Sequence, residues 1–365
     1  MDFDPQAEAQ LSAGIPDPGF PPDPRGVSSE GRGPWFLAYR RFLRNRVAVA
    51  FLGVFVLIVI FVLAAPLWAE HVAQSGPNQT HTLEKITVNG KKREVVTPEG
   101  EPIGPQWFGA GGKFFLGADS RLGRDEMVRL MYGGRTSLLI GIGSALVTMV
   151  VGIVLGLLAG YFRGWIDTVI ARTLDVLWSL PVFLVGLALG VSLAIGGLKL
   201  GPIELSGGSL WIPVLVITIF TVPYVARPIR GEVLALSEKE FVEAAIAQGA
   251  SPLRVMFGEI LPNLASTIIV FSTLTIANNM LFEAGLSFLG AGVQPPNSSW
   301  GTMITVGEEL LNTQPLLAII PGVMILLTVL SLNIVGDGLR DALDPRAKVR
   351  LEVHAGMVAP EGEAV

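Results

Sequence analysis

Polar and apolar positions in this chain are sorted into long blocks. Six blocks are apolar and nearly free of charge: 47–68, 137–160, 166–195, 211–226, 264–289 and 316–336. About 20 apolar residues cross the hydrocarbon core of a bilayer, so each block predicts a membrane-spanning helix. Pro181 and Pro223 interrupt two of them and predict kinks. Of the polar connections, 237–263 has helical texture of its own. Ser237 with Glu240 has the spacing of a capping box. Phe241, Ala244, Ala245 and Gln248 then share one helix face, two of them only a methyl wide. Gly249 is a natural left-handed stop. Ser251-Pro252 restarts a helix as N-cap and first residue, and Pro262 breaks it before the next span. The pattern predicts helix, tight turn, helix, outside the bilayer.

The long connection after the first block reads differently. Ile86 to Val96 alternates around Asn89-Gly90, which predicts a small β-hairpin with a type I′ turn. It is either a surface for contact with another protein or a decorated loop. The first 34 residues hold seven prolines and no apolar core, as in a solvated, disordered tail. The segments are therefore a tail (1–34), a first helix with a basic lead-in (35–70), the long connection (71–134), a five-helix core (135–336) and a polar tail (337–365).

Charge placement orients the chain. Arg40, Arg41, Arg44 and Arg46 precede the first span, and Arg340, Arg346, Lys348 and Arg350 follow the last. The short connections 196–210 and 290–314 hold only Lys199. Positive residues collect on the cytoplasmic side, so both termini are expected in the cytoplasm and the long connection outside. Net charge, −5, adds little. With no cysteine there is no disulfide or thiolate chemistry, and His71, His81 and His354 lack metal-ligand spacing. No P-loop and no H-E-x-x-H occur, which argues against ATP binding by this chain and against a metalloprotease.

Ionisable and amide groups inside the spans need a reason, because burial in hydrocarbon is costly. Asp175 has Arg172 one turn earlier, the spacing of a local ion pair. Asn278, Asn279 and Glu283 in the fifth block, and Asn333 in the sixth, either line a pathway or bond to neighbouring helices.

Glu243-Ala244-Ala245, then Gly249, then Leu261-Pro262 resembles the EAA loop of ABC importer permeases. In that family the loop is the coupling helix that docks on a cytoplasmic ATPase, which implies that role for these six residues. Other segments resemble the second permease of the oligopeptide and dipeptide branch. They are Gly123-Arg124-Asp125 with Arg129, Tyr132-Gly133 and Arg135 to Leu138, then 283–301, then 333–346. Two departures stand out: Ala118 with three residues between Asp119 and Gly123, and an extended 71–110.

The resemblance implies an all-α polytopic membrane protein with the six helices of a type I ABC importer permease, here with the added β-hairpin. It implies a bacterial inner-membrane location. Partners would be a second, homologous permease in a heterodimer, two ATPases and an external substrate-binding protein, with no nucleic acid. ATP and Mg would sit on the ATPases and no cofactor on this chain. The substrate class would be peptides; nickel chelates and glutathione also occur in the branch. The alternative is an ion-coupled secondary transporter or channel, which predicts inverted repeats and buried ionisable relays. No repeat is visible, and only Asp175 and Glu283 could serve as relays.

Overall fold

The computed structural model describes residues 34–344 apart from Asn89 and Arg121. The expected disordered tail, the far C-terminal charges and the Asn89 position of the β-turn therefore lie outside the described residues. Helix α1 (Pro34–Arg44) ends at Asn45, whose extended backbone (ψ 90°) turns the chain. The Asn45 side chain accepts the Ala48 N–H at 3.1 Å and so caps α2 (Arg46–Leu63), the first span. The chain runs on through Ala65–Trp68 and a π turn, Ala69–Ala73.

The long connection folds on a small core of its own. Strands β1 (Lys85–Val88) and β2 (Lys91–Glu94) pair antiparallel, with Ile86 opposite Arg93. Ile86 and Val88 are buried with Val95, Ile103, Phe114 and Ala118. Alternation on β1 thus gives the hairpin a buried face. Asp119 then gathers the following turn. Its carboxylate accepts the Leu122 and Arg124 N–H groups at 2.9 and 3.1 Å and the Arg124 Nε at 2.5 Å. The Gly123 N–H also returns to the Asp119 backbone carbonyl, at 3.3 Å. Asp125 caps α3 (Glu126–Phe162), accepting the Val128 and Phe114 N–H groups at 3.1 and 2.7 Å.

Helix α3 begins well before the expected residue 137. At 1.5 Å per residue its 37 residues reach about 55 Å, against ~30 Å of bilayer hydrocarbon. Its early polar residues have partners. Arg135 donates to the carbonyls of Val62 and Leu63 at 3.0 and 2.8 Å, closing the end of α2. Arg129 reaches the Pro77 carbonyl and lies 4.0 Å from Asp119.

The expected continuous third span, 166–195, is instead two helices, α4 (Gly164–Ser179) and α5 (Val182–Gly196), bent by 87°. Leu180 is extended (ψ 142°) ahead of Pro181, the conformation that a following proline imposes. A second hairpin, β3 (Leu198–Leu200) and β4 (Ile203–Leu205), follows at Gly201-Pro202. Helix α6 (Trp211–Leu236) continues ten residues past the expected end, through Pro223 and Pro228. Then come the short α7 (Glu240–Ala247) and α8, which joins Pro252–Arg254, a π turn at Val255–Ile260 and Leu261–Asn263. Helix α9 (Ala265–Phe288) is the fifth span, α10 (Trp300–Glu308) folds back over it, and α11 (Leu316–Leu343) is the last. Among the described residues five helices are long and apolar enough to cross a membrane, and the bent pair makes a sixth crossing if it counts as one.

Helices α3 and α6 form the axis of the bundle. Gly152, Gly156 and Gly160 recur at the spacing of one helix face and meet Val225, Ile229 and Val233 of α6 at the same spacing. A Cβ on these glycines would stand 2.8, 2.7 and 2.7 Å from the opposing valine or isoleucine. With no hydrophobic drive between helices in lipid, such small-residue faces supply close van der Waals contact.

Candidate functional site

The EAA segment forms the expected helical hairpin, with one local correction. Ser237 does not open a capping box. Helix α6 still holds it in helical conformation, so its hydroxyl donates back to the Val233 carbonyl at 2.7 Å. Lys239 is the N-cap of α7, without a side-chain bond, and Glu240 and Glu243 occupy the first turn, where the helix dipole favours anions. The turn is a Schellman motif. Gly249 has φ +83°, its N–H reaches the Ile246 carbonyl at 2.9 Å, and the Ala250 N–H reaches Ala245 at 3.1 Å. Ser251 then caps α8, accepting the Arg254 N–H, with Pro252 first in the helix.

Burial sorts the six motif residues. Glu243, Ala244, Gly249 and Pro262 are exposed, whereas Ala245 and Leu261 turn partly inward. Val242, between Phe241 and Glu243, is fully buried. It shares a core with Val255, Met256 and Ile260 of α8, Val225, Ile229 and Val233 of α6, Met149 and Leu157 of α3, and Leu264. The hairpin is thus an outgrowth of the bundle core with one free face: Phe241, Ala244, Ile246 and Gln248, with Leu253 and Phe257 beside them.

Three ion pairs strap α4 across the end of α6 that leads into this hairpin. Arg163 meets Glu238 at 2.9 Å. Asp167 takes two bonds from Arg230, one of 2.7 Å from Nη2 and a shorter one from Nε. Asp175 takes Arg227 at 2.7 Å, and that guanidinium lies 4.1 Å above the Trp178 ring. The expected partner of Asp175, Arg172, stands farther off at 3.8 Å. The local pair exists, but the closer partner comes from another helix, 52 residues away in sequence.

The polar residues of the fifth and sixth blocks separate into two groups. Glu283 is buried and accepts the Ser287 hydroxyl at 2.7 Å, and Ser137 and Ser299 hydrogen-bond the same carboxyl group. Ser137 accepts the Trp300 N–H and Ser287 the Val293 N–H, each at 3.1 Å. This knot ties α3, α9 and the start of α10 together. Asn279, also buried, donates to Ser144 of α3 at 3.0 Å. Asn278 is exposed and Asn333 half-buried. Sequence reading did not pick out Trp300, which is fully buried and donates to the Leu130 carbonyl at 2.9 Å. The Ser299/Thr302 capping box ahead of it was the available signal. The glycine ladder on α3 was likewise visible as a repeat of four.

A hairpin that rises from the bundle core and leaves one face exposed invites comparison with known membrane components. Residues 152–349 match the model of the binding-protein-dependent transport system inner membrane component. The chain belongs to this family. Residues 33–83 match the N-terminal transmembrane domain of oligopeptide transport permease C, which places the permease in that branch. The glutathione transport system permease protein GsiD of Pectobacterium atrosepticum is 38% identical over 87% of this chain and 93% of its own. The oligopeptide permease OppC of Haemophilus influenzae is 35% identical, covering 87% and 90%. The dipeptide permease DppC of Alkalihalophilus pseudofirmus is 32% identical, covering 91% and 96%. A chain of the inward-facing MetNI methionine ABC transporter aligns with TM-score 0.49 at 18% identity, covering 60% of this chain and 97% of that one. The first model takes in the permease from the second half of α3 onward, including the EAA hairpin; the second covers α1 and α2. Neither reaches β1, β2 or the start of α3.

Proposed function

We propose that this permease forms half of the translocation pathway of a peptide importer and receives the force of ATP hydrolysis through the α7–α8 hairpin. Relatives named for dipeptide, oligopeptide and glutathione transport support the substrate class. The carrying observation is the hairpin itself: its outer face is free while Val242 roots it in the core of α3, α6 and α8. A partner ATPase, holding ATP and Mg, grips the Glu243-Ala244 face. Closure of two ATPases moves two such hairpins, and the bundles switch from inward- to outward-facing. Peptide arrives from an external binding protein and leaves on the inner side. The second bundle is a homologous, non-identical permease.

The permease lies in the bacterial inner membrane with both termini and the hairpin in the cytoplasm. Arg41 donating to the Asp344 carbonyl at 3.3 Å supports this, since it joins the segment before the first span to the end of the last. So does a cavity of about 420 Å³ lined by Trp35 and Arg41 together with Pro262 and Asn263. Of the polar candidates for the pathway, Asn278 and Asn333 keep accessible surface, whereas Asn279 and Glu283 act as glue between helices.

The test replaces Glu243 by Arg and Gly249 by Val, singly, in the assembled transporter. Each variant is expected to insert at normal level and to lose co-purifying ATPase or binding-protein-stimulated ATP hydrolysis with peptide uptake. Normal assembly and uptake in both variants would remove the hairpin from the mechanism.

A further inference from the structure

Helix α1 carries two exposed stripes that the transport reading does not use. Trp35, Tyr39 and Leu43 follow at intervals of four, and they are 56, 61 and 47% exposed. The stripe continues past the Asn45 corner into Val47, 59% exposed, and so onto the outward face of the first span with Val56, Leu57, Ile60 and Leu63. One position round the helix, Arg40 and Arg44 form a second exposed stripe, with Arg46 just beyond the corner. The opposite face is occupied. Phe42 packs with Ala48, Val335 and Ala342, and Arg41 turns toward the end of α11. Helix α1 is therefore fixed in position with an apolar and a cationic stripe side by side on its exposed side, Trp35 and Tyr39 standing at the rim of the crevices that α1 forms with α9 and α11.

We propose that this exposed side binds an anionic phospholipid surface, with Trp35, Tyr39 and Leu43 at the acyl boundary and Arg40 and Arg44 on lipid phosphates. Continuity with the lipid-facing side of α2 sets the depth. Tryptophan and tyrosine prefer the headgroup level, and an amphipathic helix with a basic edge lies in that plane. Each arginine near an anionic leaflet favours binding by ~5-fold, the equivalent of about 1 kcal/mol. A partner protein could cover an apolar stripe equally well. The adjoining arginines and the join to a span favour lipid. The inference rests on membrane residence alone and does not need the importer reading.

The full-length permease is reconstituted in phosphatidylcholine vesicles containing a low fraction of brominated phosphatidylglycerol or brominated phosphatidylcholine. Quenching of Trp35 is read as the difference between wild type and Trp35→Phe. The expected result is quenching by both lipids, at least 5-fold stronger for phosphatidylglycerol at low salt. The preference should fall toward unity in 0.5 M NaCl and in Arg40→Gln/Arg44→Gln, and persist in Arg40→Lys/Arg44→Lys. Equal quenching by the two lipids overturns the proposal, because the arginines then select nothing. Absence of quenching by either overturns it too, since Trp35 would be covered by protein. If the glutamine variant fails to fold, the salt titration on wild type still separates these outcomes.

Discussion

Gly249 has open space where a Cβ would stand, so alanine there meets no clash and tests backbone strain alone. A left-handed non-glycine residue costs ~1–2 kcal/mol. Gly249→Ala should therefore loosen the Schellman turn and speed hydrogen exchange of the α7 amides roughly 5- to 30-fold. Glu243→Ala, exposed and outside the core, loses only a favourable first-turn charge and should speed that exchange by less than about 5-fold while still weakening ATPase attachment. Glu283 calls for a different comparison. Glutamine keeps the shape and the acceptor oxygen for Ser287, so Glu283→Gln should change thermal inactivation in detergent only slightly. Glu283→Ala strands the surrounding hydroxyls and should cost about 1–3 kcal/mol. If both variants behave like wild type, the buried knot has no structural role.

Among elements, the α3–α6 contact admits the sharpest trial. Gly156→Leu drives a side chain into Ile229 and Ala226, and overpacking of this kind costs about 1–3 kcal/mol. Gly143→Leu on the same helix is the control, because its nearest neighbour is a Val214 methyl at 3.9 Å. Lower thermal stability in the first variant and not the second is the expected outcome. The α4 strap predicts charge-swap behaviour. Asp167→Arg or Arg230→Asp alone should lower coupled ATP hydrolysis, and the double swap should recover it, as double-mutant cycles resolve. Equal defects in the singles and the double would make the strap incidental.

These elements also mark how far the sequence could be read. The α7–α8 turn was legible because glycine, then serine and proline, dictate it locally. The β1–β2 hairpin was legible for a similar reason. The start of α3 was not, because Arg129 and Arg135 end an apolar window although the carbonyls of Pro77, Val62 and Leu63 accept them. The bend between α4 and α5 needed the extended Leu180, of which Pro181 gave only a hint. The hairpin at Leu198–Leu205 had its alternation and a Gly-Pro turn, but sat unnoticed in a short connection. Asp167–Arg230 and Asp175–Arg227 join residues more than fifty positions apart and have no local signature. The candidate site was therefore visible as a hairpin, and its rooting in the bundle was not.

For the whole molecule, the lack of native cysteine makes orientation directly measurable. Gln248→Cys and Lys91→Cys each add a single thiol at an exposed position. A membrane-impermeant maleimide should label Lys91→Cys in spheroplasts and Gln248→Cys only after permeabilisation. The reverse pattern would invert the proposed topology.

The glycine ladder has a mechanical consequence. Gly152, Gly156 and Gly160 pack closely against Val225, Ile229 and Val233, which favours α3 and α6 moving as one rod, and Val242 roots the hairpin at its end. The 26 residues of α6 make a lever of about 39 Å. Under the proposed coupling role, a push of ~3 Å on the hairpin would tilt such a rod by roughly 4° and carry to the far mouth of the bundle. In such a lever the stiffness of the glycine contact, more than the strength of the grip, sets how much of each stroke reaches the other side of the membrane.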